Sequence, residues 1–428
     1  MKKTLLTLSL GLLLTGCNSD SNAGVHEDIY VYQDPVMYLT DTGYTSTWWE
    51  LPNQYYNGVP KYSGAFGTYT HKHIPLAVKS YFGDIFSVRT DNTVDGNFYV
   101  YAMKNNQSVL VHTIENWDDP HTNAIIHILN TGHVEVRIAS RGLAHKFQSG
   151  VVLRSQTPFE LDFQCVEGCS PNDVNYEAYP QMHYTGWGNH LIYTKYEQIN
   201  NQGMNYRNLY SRIGNNHKKL SNLAHYNVSY YDPNMDQLCV ASNTLLGGSP
   251  ENRVNLSVIC TEYGQDTWKT TDNKLIDFNS QDESNRIVYN TQNLGTYVYL
   301  KDMIAVAGKM RVLFTETDST DPTTGTRWLS EWIQGEGVSK IAQVGHNYSA
   351  GAYLKKNGKL FIVAGVSNST GYLSGSLELY DTDYTLIDTA QGDYSYVRRV
   401  RYGDGEAVLS EGASDINTGG RHYTLKLD

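Results

Sequence analysis

Short apolar runs with alternating or β-branched residues recur from about residue 80 to the C-terminus, and no segment carries the long 3.6-residue apolar stripe of a helix. Examples are GDIFSVRT, NFYVYAM, NAIIHIL, HVEVRIA, VNLSVIC, KLFIVAGV and EAVLSE. Turn signals such as Asn130-Thr131-Gly132, Lys356-Asn357-Gly358 and Asp404-Gly405 separate them, as antiparallel hairpins require. The chain is therefore expected to be all-β. The runs group into modules near residues 80–115, 119–163, 176–222, 224–270, 285–340, 345–390 and 394–427. A repeat of roughly fifty residues suits four-stranded blades that remove their exposed edges by closing a ring. A seven-bladed β-propeller is the expected architecture, partly closed by the stretch from Glu27 to Lys79, with a pair of β-sandwiches as the alternative. Glu262 to Trp268 looks like a degenerate Asp-box turn.

Composition narrows the function. With 40% hydrophobic and 18% charged residues the chain reads as globular. Its 34 tyrosines suit strands and sugar-facing surfaces. A formal charge of −11 argues against nucleic acid as a partner, because phosphate backbones need a basic face.

The first 17 residues read as a lipoprotein signal peptide: Met1-Lys2-Lys3 is a positive start, and Leu5 to Leu14 an apolar segment too short to span a bilayer permanently. Leu14-Thr15-Gly16-Cys17 resembles a bacterial lipobox, which makes Cys17 the expected lipidation site. Asn18 after it resembles the outer-membrane sorting pattern, and residues 18–26 read as a polar tether before a single propeller domain over 27–428. The other cysteines, Cys165, Cys169, Cys239 and Cys260, are expected to form two disulfides in an oxidising compartment. Metal ligation is the alternative, a structural zinc with a histidine such as His225, or a calcium ion.

Chemistry-bearing residues concentrate between Asp119 and Gly214. His121 opens one module's first strand, and Arg141 and His145 lie in the connection between its second and third strands. Such a set could hold an anion and move protons. In the next module Tyr184 sits late on the first strand, Tyr193 and Tyr196 on the second, and Arg207 opens the third. An arginine there suits a bidentate grip on a carboxylate. Taken alone, His121 reads more readily as structural, and each tyrosine as structural or sugar-stacking, than as catalytic. A nucleophile elbow, a zinc-protease helix, a P-loop and a dinucleotide fingerprint are absent, and no pair of carboxylates stands out.

The combination DPHTNAIIHI, SRG with a following histidine, YPQMHYT, YTKY and RNLY resembles the ulvan lyases of polysaccharide lyase families 24 and 25, among BNR-repeat-like propellers. The resemblance implies β-elimination at a uronic acid next to sulfated rhamnose. It implies His121, Tyr184, Arg207 and, less securely placed, His145 as the catalytic group, with Arg141 able to replace His145 and Tyr196 able to replace Tyr184. The loop from Glu197 to Tyr206 is longer than the family's short turn, and His145 lies a few residues late. Arg141, His183, Trp187, Tyr196, His225 and Tyr226 are the expected substrate contacts, with Arg212 also available. Elimination requires no cofactor. The expected partners are a sulfated uronate polysaccharide such as ulvan and the outer membrane through the lipid, with the protein monomeric. A propeller glycoside hydrolase and a non-catalytic glycan-binding lipoprotein are the alternatives.

Overall fold

The computed structural model describes residues 34–46, 72–92, 97–105, 107–115, 122–139, 150–170, 177–185, 188–199, 204–222, 224–246, 251–262, 267–280, 282–321, 324–366, 375–411 and 420–428. His121, Arg141, His145, Trp187, Cys17, the signal segment and most of the Asp-box-like turn lie outside them. Among the described residues there is no α-helix, only two short 3-10 turns, Ser284–Arg286 and Gln292–Leu294. No described helix is long and apolar enough to cross a membrane.

Every sheet is antiparallel and lies within the compact unit Pro35–Asp428. The first four-stranded sheet comprises β2 (Ala77–Lys79), β3 (Ile85–Asn92), β4 (Phe98–Lys104) and β5 (Gln107–Ile114). The second comprises β6 (Ala124–Ile128), β7 (Val134–Ile138), β8 (Val151–Ser155) and β9 (Phe163–Glu167). The third comprises β10 (Ala178–Thr185), β11 (Gly188–Ile199), β12 (Met204–Ile213) and β13 (Asn216–Ser221). In the fourth, β14 (Ala224–Asp232), β15 (Gln237–Leu245), β16 (Arg253–Glu262) and β17 (Trp268–Thr270) are joined by β18 (Ile287–Tyr289). The fifth comprises β19 (Tyr297–Val306), β20 (Lys309–Thr317), β21 (Arg327–Ile333) and β22 (Gly337–Gln343).

These five sheets follow the expected modules; the last two modules do not separate. A seven-stranded sheet joins β23 (Gly351–Lys356), β24 (Lys359–Val366), β25 (Gly375–Tyr380), β26 (Leu386–Arg399), β27 (Glu406–Glu411), β28 (Gly420–Leu427) and β1 (Met37–Ser46). Among the described residues six sheets therefore stand where seven are expected. The physical reason is β26, which pairs with β25 mainly through Leu386 to Ala390 and with β27 through Tyr394 to Arg399. Gly392, at φ +153, sits between the two halves, where a Cβ would meet the Tyr394 ring at 2.5 Å.

The first strands of successive sheets pack on one another, β2 on β6, β6 on β10, β10 on β14, β14 on β19 and β19 on β23, and within the last sheet β23 packs on β26. Arg401, just past β26, bridges back to Val78 in β2. Burial falls outward in the second and fifth sheets: β6, β19 and β20 are buried almost throughout while the fourth strands β9 and β22 are largely exposed. Face-to-face packing explains why inner strands read as near-continuous apolar runs. The Asn357-Gly358 turn, with φ of 50° and 77°, has the two positive dihedrals of a tight hairpin. Both disulfides form, Cys165–Cys169 on β9 and just beyond it, Cys239–Cys260 across β15 and β16.

Candidate functional site

The first strands β10, β14, β19 and β23, together with β26, all finish at one end of the molecule, where Tyr184, Tyr230, Ile304, Leu354 and Arg399 line a common cavity. This is the turn end, since each first strand there folds back into its second. The opposite, loop end carries the starts of the first strands and the connections between second and third strands.

Strand register assigns the sequence-predicted residues to these ends. Tyr184 pairs with Asn189 beside the β10–β11 turn, whereas Arg207 pairs with Tyr196 at the far end of β11. Seven residues of extended strand separate the two positions, about 23 Å. The expectation that Tyr184 and Arg207 converge is therefore corrected: one is at the turn end, the other at the loop end. The signal was available in the sequence, because the glycines of Thr185-Gly186-Trp187-Gly188 directly after Tyr184 are a turn signal. Tyr196 and Arg207, in contrast, stand opposite each other in the ladder, next to the β11–β12 connection. His225, near the start of β14, and Thr122-Asn123, leading into β6, belong to the same end, whereas His127 is late on β6.

Beneath the loop end lies a buried aromatic and cationic floor. Tyr179 contacts Tyr226 edge-on at 5.4 Å between centroids, and Tyr299 meets Tyr348 in the same way at 5.6 Å. The Arg253 guanidinium lies 4.3 Å from the Tyr226 ring centre and 4.7 Å from that of Tyr299, and donates to the Tyr348 hydroxyl at 2.7 Å. Tyr348 in turn donates to the Glu251 carboxylate. Lys72, buried, places its Nζ 5.2 Å from the Tyr226 ring and donates to the Leu300 carbonyl. Burial, then the charges of Arg253, Lys301 and Arg398, push the Lys72 pKa well down. Tyr226, expected to contact substrate, is 1% exposed and belongs to this floor. Its role is to fix the layer on which the loop end rests.

The turn-end cavity, about 410 Å³, is built differently. His183 is buried, and both ring nitrogens are used. Arg401 Nη2 donates to Nδ1 at 3.2 Å, so Nε2 carries the hydrogen and donates to Ser229 Oγ at 2.7 Å. Ser229 passes the chain on to Gln181 Oε1 at 2.6 Å. Burial, then Arg401, His190 and Arg399, hold the His183 pKa well below the usual imidazole range. The expected substrate contact is thus a neutral relay inside the wall. Arg399 donates to the Met303 carbonyl at 2.7 Å, lies 3.4 Å from Asp302 and stacks over Tyr230 at 5.0 Å. Lys355 completes the basic wall. Arg212, also considered for substrate, is tied with Arg137 to Glu177 and Glu167 between the second and third sheets.

Arg399, Arg401, Lys355 and Arg253 escaped the sequence reading. The run Arg398-Arg399-Val400-Arg401 was the visible clue to the first two, three guanidinium groups in four positions of a sparsely charged chain.

No protein-family profile matches the sequence, and no curated protein matches it. Similarity appears among solved structures. An ulvan lyase of polysaccharide lyase family 25, solved bound to -[GlcA(1-4)Rha3S]-, superposes with a TM-score of 0.60 at 8% identity, covering 90% of this chain and 95% of that one. The polysaccharide lyase Uly1 superposes with a TM-score of 0.58 at 11% identity, covering 92% of this chain and 99% of that one. At these identities the likeness is one of fold.

Proposed function

We propose that the chain is a polysaccharide lyase of the ulvan-lyase type, which cuts the bond at C4 of a glucuronic or iduronic acid beside sulfated rhamnose. The observation that carries this reading is the cross-strand pairing of Tyr196 with Arg207 at the loop end. The chain that follows His121 starts β6 at that same end. Fold likeness to ulvan lyases over most of the chain supports the choice of substrate class. The fourteen-residue β26, whose two halves pair with different neighbours, supports reading the seven-stranded sheet as two blades sharing a strand, which makes seven blades in all.

Chemically, the C5 proton of a uronate becomes removable when its carboxylate is neutralised, because negative charge spreads into that group in the transition state. Arg207, aided by His145 or Arg141, would supply the neutralising charge. His121 would take the C5 proton as Tyr196 protonates the leaving oxygen, or the two roles are exchanged. The C5–H electron pair forms the C4–C5 double bond as the C4–O bond breaks, and no water is consumed. In this reading the protein is secreted, anchored through Cys17 at the outer membrane and monomeric.

The test is purified protein on a panel of uronate polysaccharides, following the ultraviolet absorbance of the unsaturated product. His121→Ala and Arg207→Ala should each lower turnover by roughly 10²-fold or more. Tyr184→Phe should stay within about twofold of the parent, as a group at the other end would. Saturated products would replace the reading with a hydrolase, and binding without products with a glycan-binding protein. Loss of turnover in Tyr184→Phe but not in Arg207→Ala would move the chemistry to the turn end.

A further inference from the structure

The turn-end cavity has a surplus of positive charge that the elimination chemistry does not use. Lys355, Arg398, Arg399 and Arg401 line it against one carboxylate, Glu406. Glu406 is already engaged: it pairs with Lys79 and accepts the Asp404 N–H. Behind the wall a single buried carboxylate, Asp302, serves both Arg398 at 3.8 Å and Arg399 at 3.4 Å. Among the described residues, the hydrogen-bond acceptors of Arg401 are neutral, the Met182 carbonyl and the His183 ring. Burial, then Arg399, pulls the Lys355 pKa down, with Asp232 opposing. In a chain of net charge −11 this is a local reversal of sign. The same walls are aromatic: Tyr230 lies under Arg399, and Tyr402 stands 67% exposed among the cavity-lining residues. Cations for an anionic group beside phenol rings for an apolar ring face are the two halves of a charged-sugar site, and the volume suits one or two rings.

We propose that this cavity is a second saccharide site, which holds the carboxylate or sulfate of an anionic sugar against Lys355, Arg399 and Arg401 while Tyr402 covers the ring. It lies at the end opposite Tyr196 and Arg207 and requires equilibrium binding only, so it stands or falls independently of bond cleavage. A free inorganic anion shares the charged half of this chemistry but not the stacking half.

Calorimetric titration of the purified chain with sodium glucuronate, sodium sulfate and glucose separates the sources. Glucuronate should bind, sulfate should compete with it, and glucose should bind at least about tenfold more weakly. Lys355→Gln should weaken both anions by about tenfold. Tyr402→Ala, at an exposed position, should weaken glucuronate and leave sulfate unchanged. Glucuronate binding unaltered in Lys355→Gln, glucose equal to glucuronate, or no binding of any of the three would overturn the proposal. Sulfate binding together with glucuronate binding that ignores Tyr402→Ala would overturn the saccharide half. Turnover at the loop end should be the same in both variants and the parent.

Discussion

At the scale of single residues, buried titratable groups dominate. His127 is 1% exposed, with Nε2 3.4 Å from Glu135 Oε1. Burial, against the pull of Glu135, pushes its pKa down to about 4. The folded state therefore keeps His127 neutral where an unfolded chain would protonate it. Stability should fall as pH drops from about 6.5 towards 4 and level off below, with a cost on the order of 3 kcal/mol for this group. His183 and His422 are shifted in the same direction and add to the slope. Denaturant midpoints at pH 7 and pH 4.5 check this. His127→Phe should show a shallower decline than the parent, and an identical decline would mean that His127 does not report the transition. Residue identity was the most legible level of the sequence for chemistry and the least for place. Alternation says which face of a strand a side chain takes, not which end of the sheet it reaches. Tyr184 is expected beside Arg207 for that reason, although the turn signal Gly186-Trp187-Gly188 follows it directly in the sequence.

Among elements, strands were legible where packing is two-sided. EAVLSE is β27, residue for residue, and NAIIHIL and KLFIVAGV contain β6 and β24. The strand that escaped is β26, whose LIDTAQGDYSYVRR is polar, interrupted by Gly392 and exposed through its middle. It carries no apolar period because its two halves serve different neighbours. The two disulfides make a contrast at this level. Cys239 and Cys260 are directly opposed and buried, and close a long loop between inner strands. Replacing both by alanine should cost about 3 kcal/mol in a denaturant titration. Cys165 and Cys169 close a five-residue ring at an outer strand. Their replacement should cost less, and equal costs would contradict the loop-closure account.

For the whole molecule, β1 decides how the last sheet ends. Its residues pair with β28 from Met37↔Leu427 to Ser46↔Gly420, so one edge strand comes from the opposite end of the sequence. Deleting residues through Ser46 should remove roughly 1 kcal/mol per lost ladder bond and leave β28 as a bare edge. Lower thermal midpoints with concentration-dependent association, measured by light scattering during heating, are the expected outcome; an unchanged midpoint would show that β1 is dispensable.

The shared strand β26 carries a consequence for how such a chain can be altered over time. A structural unit bounded by its own strands can be copied, lost or exchanged as a cassette, but a cut on either side of β26 strips a ladder from the neighbour it leaves behind. Recombination that respects folding must move residues 351–428 as one block and carry β1 with it, so this sheet should change length less freely than the five before it.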